Sequence, residues 1–401
     1  MLENKTVVVG VTGGIACYKS VSLVSALLKD GADVHVIMTK HATEFLSPYL
    51  FESRTGHKCM VDTFDRNFKY DIAHISIAKA ADAFIVAPAT ANVIAKAANG
   101  IADDMLTTTL LAATCPKLIA PAMNTAMYEN PITQDNLEKL RHYGFRIIEP
   151  TSGLLACGDQ GKGKMAEPEL LLDAIRAEIA LPHDMKGQHI LVTAGPTREP
   201  LDPVRFISNS STGRMGFEIA RAARYRGAEV TLIAGPVSLE TPEGVRRIDI
   251  MTATELHDAV TAEFPSCDYL FMVSAVADYR PAEAADHKIK KKEGETSLPL
   301  VRTKDILSDI AELHTDQLVC GFSMETENLL ENSRGKMLKK HLDMICANSL
   351  FEDGAGFGGS TNVVTVITRD GEFPLGLKSK FDTAVEILNY AKMIKESPMA
   401  R

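Results

Sequence analysis

Runs of apolar, mostly β-branched residues alternate with amphipathic stretches along the first half of the chain. The apolar runs lie at residues 6–14, 33–39, 81–89, 116–122 and 145–150. The stretches with the apolar periodicity of helices include residues 16–31, a segment from about residue 91, and residues 168–180. Buried strands that alternate with helices are typical of a parallel sheet that is covered on both faces.

The same alternation begins again after a polar stretch with proline and glycine, which predicts a linker at residues 182–188. The strands predicted for the second half lie within residues 188–197, 228–236, 267–279, 317–322 and 343–348, with a late strand or hairpin at 362–371. The predicted helices include residues 211–227 and 379–395. We therefore expect two tandem α/β domains of the three-layer, doubly wound class, at residues 1–181 and 189–401.

The composition is that of a globular protein and narrows the range of functions. Of the 401 residues, 45% are hydrophobic and 24% are charged, which suits two domains. The net charge of −9 argues against nucleic-acid binding. We expect neither a signal peptide nor a membrane segment, because no apolar run approaches the length of a span. The seven cysteines include no CxxC pair, so we expect no disulfide framework, no cysteine-rich zinc site and a cytoplasmic location.

Glycines and polar residues follow three of the predicted strands of the first half. The turn VTGGIA carries Gly13 and Gly14, while Thr39, Thr90 and Asn92 follow later strands. In an open parallel sheet, ligands bind outside the carboxyl ends of the strands, and a glycine turn that opens a helix offers backbone N–H groups to anions. These residues are candidate contacts for a phosphorylated cofactor. The turn is neither GxGxxG nor a Walker A motif, so a tight turn without a ligand is the alternative.

Three further stretches carry an imidazole, an amide and a thiol in settings that resemble loops. His74 lies in DIAHISIA, Asn124 in APAMNTAMYENP, and Cys157 in the glycine-rich stretch PTSGLLACGDQGKGKM. An imidazole among apolar residues is more often structural, and a single cysteine can be a packed thiol. Together the three side chains predict the acid–base and carboxylate-binding groups of one site.

In order and spacing, GVTGGIACYK, His74, APATAN, APAMNTAMYENP and ACGDQGKGKMAEP resemble the FMN-dependent phosphopantothenoylcysteine decarboxylases, which have a flavodoxin-like domain. The resemblance covers essentially all of residues 1–180. It implies oxidation of the cysteine of the substrate to a thioaldehyde by FMN, loss of CO₂ to give an enethiolate, and reduction of that product. It implies that His74 is the base, that Asn124 holds the carboxylate and that Cys157 is the acid. The positions that match FMN contacts are Gly13, Gly14, Ile15, Thr39, Thr90, Ala91, Asn92 and Ala122.

Two residues depart from the pattern of this family. Tyr128 stands where the family motif usually ends in tryptophan, and we expect it to pack against substrate or a neighbouring subunit. Lys164 stands where many relatives have arginine, which keeps the charge but loses bidentate geometry. Both changes therefore bear on substrate binding.

The second half contains a long polar loop and a basic run. The loop TAGPTREPLDPVRFISNSSTGRMG separates a strand from a helix, and a loop of this length inside a compact domain is usually functional. SAVADYRP places Asp278 at the end of a strand, where a carboxylate can hold Mg²⁺. HKIKKKEG is a basic run in an acidic protein, and it is either a solvated turn or a flap over a triphosphate.

These stretches, with GFSMET and DMICAN, resemble in their order the phosphopantothenate–cysteine ligases, a Rossmann-like family. The resemblance implies CTP as co-substrate, an acyl-cytidylate intermediate, and displacement of the nucleotide by the amine of cysteine. Asn209 would hold that intermediate and Arg205 the phosphopantothenate. Lys288, or another lysine of the 288–292 run, would stabilise phosphoryl charge, and Asp278 would bind Mg²⁺. The remaining matches to nucleotide contacts are Ser274, Ala275, Thr303, Lys304, Asp305, Ile306, Phe322, Lys336 and Lys340.

Both resemblances together imply the bacterial fused arrangement, a cytoplasmic enzyme that makes 4′-phosphopantetheine from 4′-phosphopantothenate, cysteine and CTP. Its partners would be these small molecules, with neither nucleic acid nor membrane. Copies of the chain would form a trimer-based dodecamer linked through ligase dimers. A flavin-binding module that regulates another protein is one alternative, and the triad of His74, Asn124 and Cys157 argues against it. A flavoenzyme acting on peptidyl cysteines or prenyl groups is the other, and the second domain argues against that.

Overall fold

A computed structural model shows the chain as two compact units, Met1–Pro182 and His183–Arg401. The structure describes residues 1–64, 73–154, 158, 160–290, 297–313, 315–325, 327–349 and 358–397. Each unit has its own sheet and its own apolar core, so each is described by itself.

The first unit is built on a parallel sheet. Its strands are β1 Thr6–Val11, β2 Asp33–Met38, β3 Ala83–Ala89, β4 Lys117–Pro121, β5 Arg146–Ile147, β6 Thr151–Leu154 and β7 Gln160–Lys164. Its helices are α1 Tyr18–Lys29, α2 Lys40–Thr43, α3 Tyr49–Thr55, α4 Ala73–Ala80, α5 Ala91–Asn99, α6 Met105–Ala112, α7 Thr125–Glu129, α8 Pro131–His142 and α9 Pro168–Ile179. The sheet has the order β2-β1-β3-β4-β5, whereas β6 and β7 form a separate antiparallel hairpin. This order is the flavodoxin-like one, in which ligands bind at the carboxyl edge near β1 and β3.

Alternation along the central strands explains why helices cover both faces of this sheet. Val7, Val9 and Val11 of β1 point into a cluster with residues of α1 and α9. Val8 points into the opposite cluster, with residues of α5, α6 and α8. Successive side chains of a strand point to opposite faces, so this apolar run is buried completely only between two helical layers.

The second unit is built on a longer, mostly parallel sheet. Its strands are β8 His189–Ala194, β9 Arg198–Pro200, β10 Phe206–Ser208, β11 Glu229–Ala234, β12 Arg246–Asp249, β13 Tyr269–Met272, β14 Tyr279–Pro281, β15 Leu300–Arg302, β16 Leu318–Ser323, β17 Met344–Asn348, β18 Thr361–Thr368 and β19 Glu372–Ser379. Its helices are α10 Arg214–Tyr225, α11 Ala253–Glu263, α12 Ile306–Ala311, α13 Leu329–Lys339 and α14 Lys380–Glu396. The main sheet runs β12-β11-β8-β13-β16-β17-β18-β19, with β18 and β19 antiparallel. Its first six positions have the Rossmann order, with the switch point between β8 and β13.

A buried arginine ties the start of the second unit to its last helix. Arg226, which is 4% exposed, donates to both carboxylate oxygens of Asp184 at 2.7 and 2.6 Å and to Asn389 of α14 at 3.0 Å. Lys392 of α14 donates to the same carboxylate at 2.9 Å. Arg226 above all, with Lys392, lowers the pKa of Asp184 to about 2. The ion pair therefore stabilises the packing of α10 and α14 around residue 184.

The predicted fold class is confirmed, and the differences concern short elements. The long loop predicted within residues 193–216 contains an antiparallel ribbon of β9 and β10, and the strand predicted at 267–279 is divided into β13 and β14. The late element at 362–371 belongs to the hairpin of β18 and β19. In the described part of the chain, no helix is both long and apolar enough to cross a lipid bilayer.

Candidate functional site

The carboxyl ends of the first four strands lie side by side in the first unit. Beyond the end of β2, Thr39 N donates to Val11 O of β1 at 3.0 Å. Beyond the end of β4, Ala122 N donates to Ala89 O of β3 at 3.0 Å. These bonds bring the predicted cofactor residues Thr39 and Ala122 to the same edge as the glycine turn.

The hydroxyl of Thr12, which the sequence pattern did not single out, connects β1 to the end of β3. Thr12 Oγ1 donates to Pro88 O at 2.7 Å and accepts from Thr90 N at 3.2 Å, and the residue is 1% exposed. It therefore fixes the start of α5 relative to the glycine turn. The sequence signal that could have identified Thr12 is its position, a hydroxyl residue between a buried strand and two glycines.

The glycine turn fits a cofactor with a planar ring and a phosphate. A Cβ at Gly13 would lie 2.5 Å from His41 Cβ and 2.9 Å from the His41 carbonyl carbon, whereas a Cβ at Gly14 would meet its nearest atom, in Thr90, at 3.6 Å. The backbone of Gly13 thus packs directly on His41. Ile15 follows with 61% of its surface exposed. An exposed apolar side chain beside backbone donors is the combination that such a cofactor needs.

Two threonine hydroxyls beside this turn cap helices. Each oxygen accepts a backbone hydrogen bond in its cap, and the hydroxyl hydrogen can still be donated to a ligand. Thr39 Oγ1 accepts from Ala42 N at 3.3 Å at the start of α2, and Thr90 Oγ1 accepts from Val93 N at 3.4 Å at the start of α5. The structure brings all the predicted cofactor positions to this edge: Gly13, Gly14, Ile15, Thr39, Thr90, Ala91, Asn92 and Ala122. Their contact with FMN stays a prediction.

Asn124 follows β4 on the same edge and caps α7. Its Oδ1 accepts from Ala126 N at 2.8 Å, and the side chain is half-buried. The amide NH₂ is the end that suits a carboxylate, because it donates hydrogen bonds.

The hairpin of β6 and β7 lies against the Asn124 loop. Met123 N donates to Gly163 O at 3.0 Å. A Cβ at Gly163 would overlap the backbone oxygen of Met123, and a Cβ at Gly161 would lie 2.5 Å from the side-chain Oγ1 of Thr125, so this close approach favours glycine at both positions. Cys157, the predicted acid, belongs to the segment that joins β6 to β7 and lies outside the described residues.

His74 lies in the first turn of α4, not in a loop as its setting predicts, and it is half-buried. Beyond the carboxyl end of α4, Asp82 accepts from Thr6 N at 2.8 Å, which places this end at the amino edge of the sheet. From there α4 extends about 12 Å along the sheet, and its apolar side packs into the core with residues of α6. The first turn, with His74, is therefore displaced towards the carboxyl edge.

The two departures from the family pattern have structural partners within the first unit. Tyr128 is 4% exposed and donates to Glu149 Oε2 at 2.7 Å, so the expectation that it packs against substrate or another subunit is wrong. Burial raises the pKa of the Tyr128 hydroxyl. Lys164 lies 3.4 Å from Glu167, which also accepts from the buried Lys19 at 2.8 Å.

In the second unit, one cavity of about 910 Å³ brings together most of the predicted nucleotide contacts. It lies at the carboxyl edge of the main sheet, over the switch point between β8 and β13. The predicted residues that line it are Asn209, Ser274, Ala275, Asp278, Thr303, Lys304, Asp305, Ile306, Phe322, Lys336 and Lys340. A cavity of this size suits a nucleotide.

Two buried polar atoms on the wall of this cavity fit a polar ligand. Ser274 Oγ and Asn348 Oδ1 have no hydrogen-bond partner among the described residues. Buried polar groups are normally paired, so these atoms indicate a group that the protein receives from outside. Asn348 ends the motif DMICAN but was not among the predicted contacts. The other unpredicted residues of the wall include Arg214, Asn362 and Lys380.

The amino end of α10 faces this cavity without a side-chain cap. Its N-cap is Gly213, with φ of 77°. At Gly216, a Cβ would lie 2.6 Å from Ala194 Cβ, so α10 packs directly on β8. The first N–H groups of this 12-residue helix therefore point to the cavity, where they suit a phosphate.

The side chain of Asn209 is held by the backbone that follows β13. Its Nδ2 donates to Ala275 O at 3.0 Å and to Val276 O at 3.1 Å. Both amide protons are thus used within the protein, and Oδ1 is the atom that could accept from a ligand.

Charged side chains meet on another wall of the cavity. Lys340 forms an ion pair with Asp305, which caps α12. Burial lowers the pKa of Lys340, and the nearby charge of Asp278 opposes that shift. Asp278 itself is exposed, so its carboxylate is accessible to a hydrated cation.

Arg205 and Lys288 are not among the described residues that line this cavity. Arg205 donates to Asp202 Oδ2 at 2.6 Å and to Ile289 O at 2.9 Å, while Ile289 N donates to the same carboxylate at 3.1 Å. Arg205 and backbone N–H groups hold the pKa of Asp202 well below its usual range. The pair thereby anchors the segment that carries the exposed Lys288.

Two family models match the chain, one over each unit. The model described as Flavoprotein matches residues 1–180. The model described as DNA/pantothenate metabolism flavoprotein C-terminal domain matches residues 185–394.

Curated relatives match over nearly the whole chain. The coenzyme A biosynthesis bifunctional protein CoaBC of Bacillus subtilis (strain 168) is 46% identical over 392 residues, which cover 97% of each chain. The protein of the same name from Haemophilus influenzae (strain ATCC 51907 / DSM 11121 / KW20 / Rd) is 43% identical over 389 residues, again 97% of each chain. A solved structure of the C-terminal domain of such a protein is 36% identical, covers 54% of this chain and 100% of its own, and has a TM-score of 0.46. The chain therefore belongs to the family of coenzyme A biosynthesis bifunctional proteins.

Proposed function

We propose that the second unit joins cysteine to 4′-phosphopantothenate and that the first unit decarboxylates the product to 4′-phosphopantetheine. The observation that carries the proposal is the convergence of the predicted cofactor residues at the carboxyl edge of the first sheet and of most predicted nucleotide contacts around the cavity of the second unit. In the first unit, the edge of the sheet carries a glycine turn and two helix-capping hydroxyls, which suit a phosphorylated flavin. In the second unit, the cavity has buried polar atoms without a partner among the described residues, which suit a nucleotide.

In the first unit, the residues of the glycine turn, with Thr39 and Thr90, would hold FMN. FMN, when bound, supplies reversible hydride acceptance from the cysteine carbon that bears the thiol. Asn124 would orient the carboxylate with its NH₂ group, so that CO₂ leaves from a fixed position. His74 would accept the substrate proton during oxidation, and Cys157 would give a proton back during reduction.

In the second unit, the triphosphate of CTP would lie at the amino end of α10, with Lys336 and Lys340 as counter-charges. Asp278 would bind the Mg²⁺ that neutralises the phosphates. The carboxylate of phosphopantothenate would attack the α-phosphate, release pyrophosphate and form an acyl-cytidylate. Asn209 would position that intermediate until the amine of cysteine displaces CMP. Arg205 would contact the phosphopantothenate, and Lys288 would stabilise phosphoryl charge.

The nucleotide, the cation, the location and the assembly follow from the family to which the chain belongs. We infer CTP as the nucleotide, Mg²⁺ as the cation and the cytoplasm as the location. The assembly would be a trimer-based dodecamer whose second units pair as dimers. The boundaries proposed for the two activities are residues 1–181 and 189–401, with residues 182–188 as the linker.

The first activity is tested with synthetic 4′-phosphopantothenoylcysteine and no nucleotide. We expect the wild-type protein to release CO₂ and form 4′-phosphopantetheine. His74→Asn should retain FMN, measured by its visible absorbance, and release no CO₂. Cys157→Ser should release CO₂ but accumulate the enethiol, because the reductive proton donor is absent.

These variants separate the two residue roles from each other and from folding. Retained FMN shows that the edge of the sheet is intact. Wild-type CO₂ release by His74→Asn, or wild-type phosphopantetheine output by Cys157→Ser, would overturn the corresponding role. No CO₂ from the flavin-loaded wild-type protein would overturn the proposed decarboxylase activity.

A further inference from the structure

Two histidines and one aspartate meet at the amino end of β2. His57 Nε2 lies 2.7 Å from Asp33 Oδ1, and His35 Nε2 lies 3.2 Å from Asp33 Oδ2. The two imidazole rings stack with their centroids 4.1 Å apart and an angle of 20° between their planes. Both Nε2 atoms therefore converge on one carboxylate.

The backbone places these three residues together. Asp33 and His35 are two positions apart on β2, so their side chains share one face of the sheet. His57 belongs to a segment that forms a parallel bridge to β2 through Met60. The N–H of His57 is held by Thr55 Oγ1 at 3.2 Å. The cluster is thus built on a strand and on a segment tied to that strand.

The distances suit a metal ion of the zinc type. The three ligand atoms all lie within 4.8 Å of one another. A tetrahedral zinc ion with bonds of about 2.0–2.1 Å places its ligands about 3.3 Å apart, so the atoms need to approach by at most about 1.5 Å. Two imidazoles and one carboxylate are a donor set that zinc and neighbouring transition metals accept, with water in the fourth position.

Access from solvent is also suitable. The side chains of Asp33 and His57 are 51% and 38% exposed, whereas that of His35 is 17% exposed. An ion can therefore enter from the side of Asp33 and His57, while the more buried His35 provides a fixed ligand.

We propose that Asp33, His35 and His57 form a binding site for a divalent transition-metal ion, with zinc as its representative. In the bound state the two rings would turn out of their near-parallel stack, so that each carries its proton on Nδ1 and directs the in-plane lone pair of Nε2 to the ion. No other group of three or more potential metal ligands is found this close together among the described residues.

This site is separate from the cofactor edge. β2 is an edge strand of its sheet, and the three residues from His35 to its carboxyl end at Met38 span about 10 Å. A metal ion here would fasten the segment that ends at Met60 to the open edge of the sheet. It would thereby stabilise the first unit without contacting substrate.

The test is a titration of the full-length, tag-free, FMN-loaded protein with Zn²⁺ in excess Mg²⁺, followed by calorimetry. A parallel titration with Co²⁺ gives the visible absorption of a four-coordinate ion. Asp33→Asn and His57→Ala remove one ligand each. His142→Ala is the matched control, because His142 is an exposed histidine at the end of α8.

We expect one saturable ion per wild-type chain and unchanged binding by His142→Ala. Loss of a residue that only supports a metal ligand typically lowers metal affinity by about 10–100-fold. Each ligand variant removes a direct ligand, so we expect its affinity for the ion to fall by more than that. FMN retained by the variants shows that they fold. Absence of saturable binding by the wild-type protein would overturn the proposal. Equal affinity in the wild-type protein and both ligand variants would also overturn it, because the ion would then lie elsewhere.

Discussion

Replacing Thr12 by valine removes one buried hydroxyl from the junction of β1 and β3 and leaves the volume of the side chain nearly unchanged. The hydroxyl donates to Pro88 O and accepts from Thr90 N, and both bonds cross from one strand end to another. We expect the variant to lose stability and FMN together, because Thr90 and the glycine turn are both proposed cofactor contacts.

The magnitude follows from the two bonds. Each intramolecular hydrogen bond contributes about 0.5–1.5 kcal/mol, and a buried partner left unpaired costs about 1–3 kcal/mol. Thr12 is 1% exposed, and Pro88 is also buried, so water can replace little of the loss. The free energy of unfolding of the first unit should fall by about 2–4 kcal/mol.

Flavin fluorescence during urea unfolding reports on the first unit, and the chain has no tryptophan to interfere. With an m-value of about 2 kcal/mol/M, the midpoint should fall by about 1–2 M. Circular dichroism of the FMN-free protein separates the stability effect from weaker FMN binding. Thr12→Ser is the control, since it keeps the hydroxyl and should stay close to the wild-type midpoint. A wild-type midpoint and FMN content in Thr12→Val would refute the role of this hydroxyl.

Three other changes test separate parts of the account. Gly13→Ala should prevent FMN retention, since its Cβ would collide with His41, and an FMN content equal to wild type would contradict the proposed cradle. Asp184→Asn should lower the unfolding free energy of the second unit at neutral pH by about 2 kcal/mol, whereas Lys392→Ala should cost less than about 1 kcal/mol. Because the pKa of Asp184 falls from 3.8 to about 2 on folding, its contribution to the free energy of unfolding is complete above pH 3.8 and is lost as the pH falls towards 2. An acid-unfolding profile of Asp184→Asn equal to that of the wild type would exclude this contribution. Asn209→Asp should bind CTP without forming acyl-cytidylate, since a carboxylate would face two carbonyl oxygens, and accumulation of that intermediate would assign the residue to a later step.

The two sheets were predictable because burial on both faces requires long apolar strands. Val7 to Val11 and the corresponding strands of the second unit are nearly continuous apolar runs. This pattern indicates a parallel sheet independently of the sequences of the connecting loops. Short elements were less predictable, since β9 and β10 have three residues each and are stabilised by pairing with each other.

The hairpin of β6 and β7 shows a different limit. Its glycines have low strand propensity, and they are required because the backbone at Gly161 and Gly163 approaches residues 123–125. The sequence therefore indicates a glycine-rich loop, while the tertiary contact makes it a hairpin. His74 likewise lies in an eight-residue helix, too short for its periodicity to be recognised.

Site residues were predictable where a motif carries them and not where the fold brings distant residues together. Lys380 lies outside the quoted motifs. Thr12 and Asn348 lie within VTGGIA and DMICAN, but their roles depend on contacts between elements that are far apart in the sequence. The pair of His35 and His57 is similar, because the bridge of Met60 to β2 ties the segment of His57 to the strand of His35, where the two rings stack.

One incubation tests the central claim that both activities belong to this chain. The purified protein, with FMN and Mg²⁺, is supplied with 4′-phosphopantothenate, cysteine and CTP, and the products are identified by mass spectrometry beside ATP and nucleotide-free controls. We expect 4′-phosphopantetheine, CMP and pyrophosphate with CTP, and no amide product without nucleotide. Absence of any amide product with CTP and with ATP would contradict the ligase assignment, and accumulation of 4′-phosphopantothenoylcysteine alone would contradict the decarboxylase assignment.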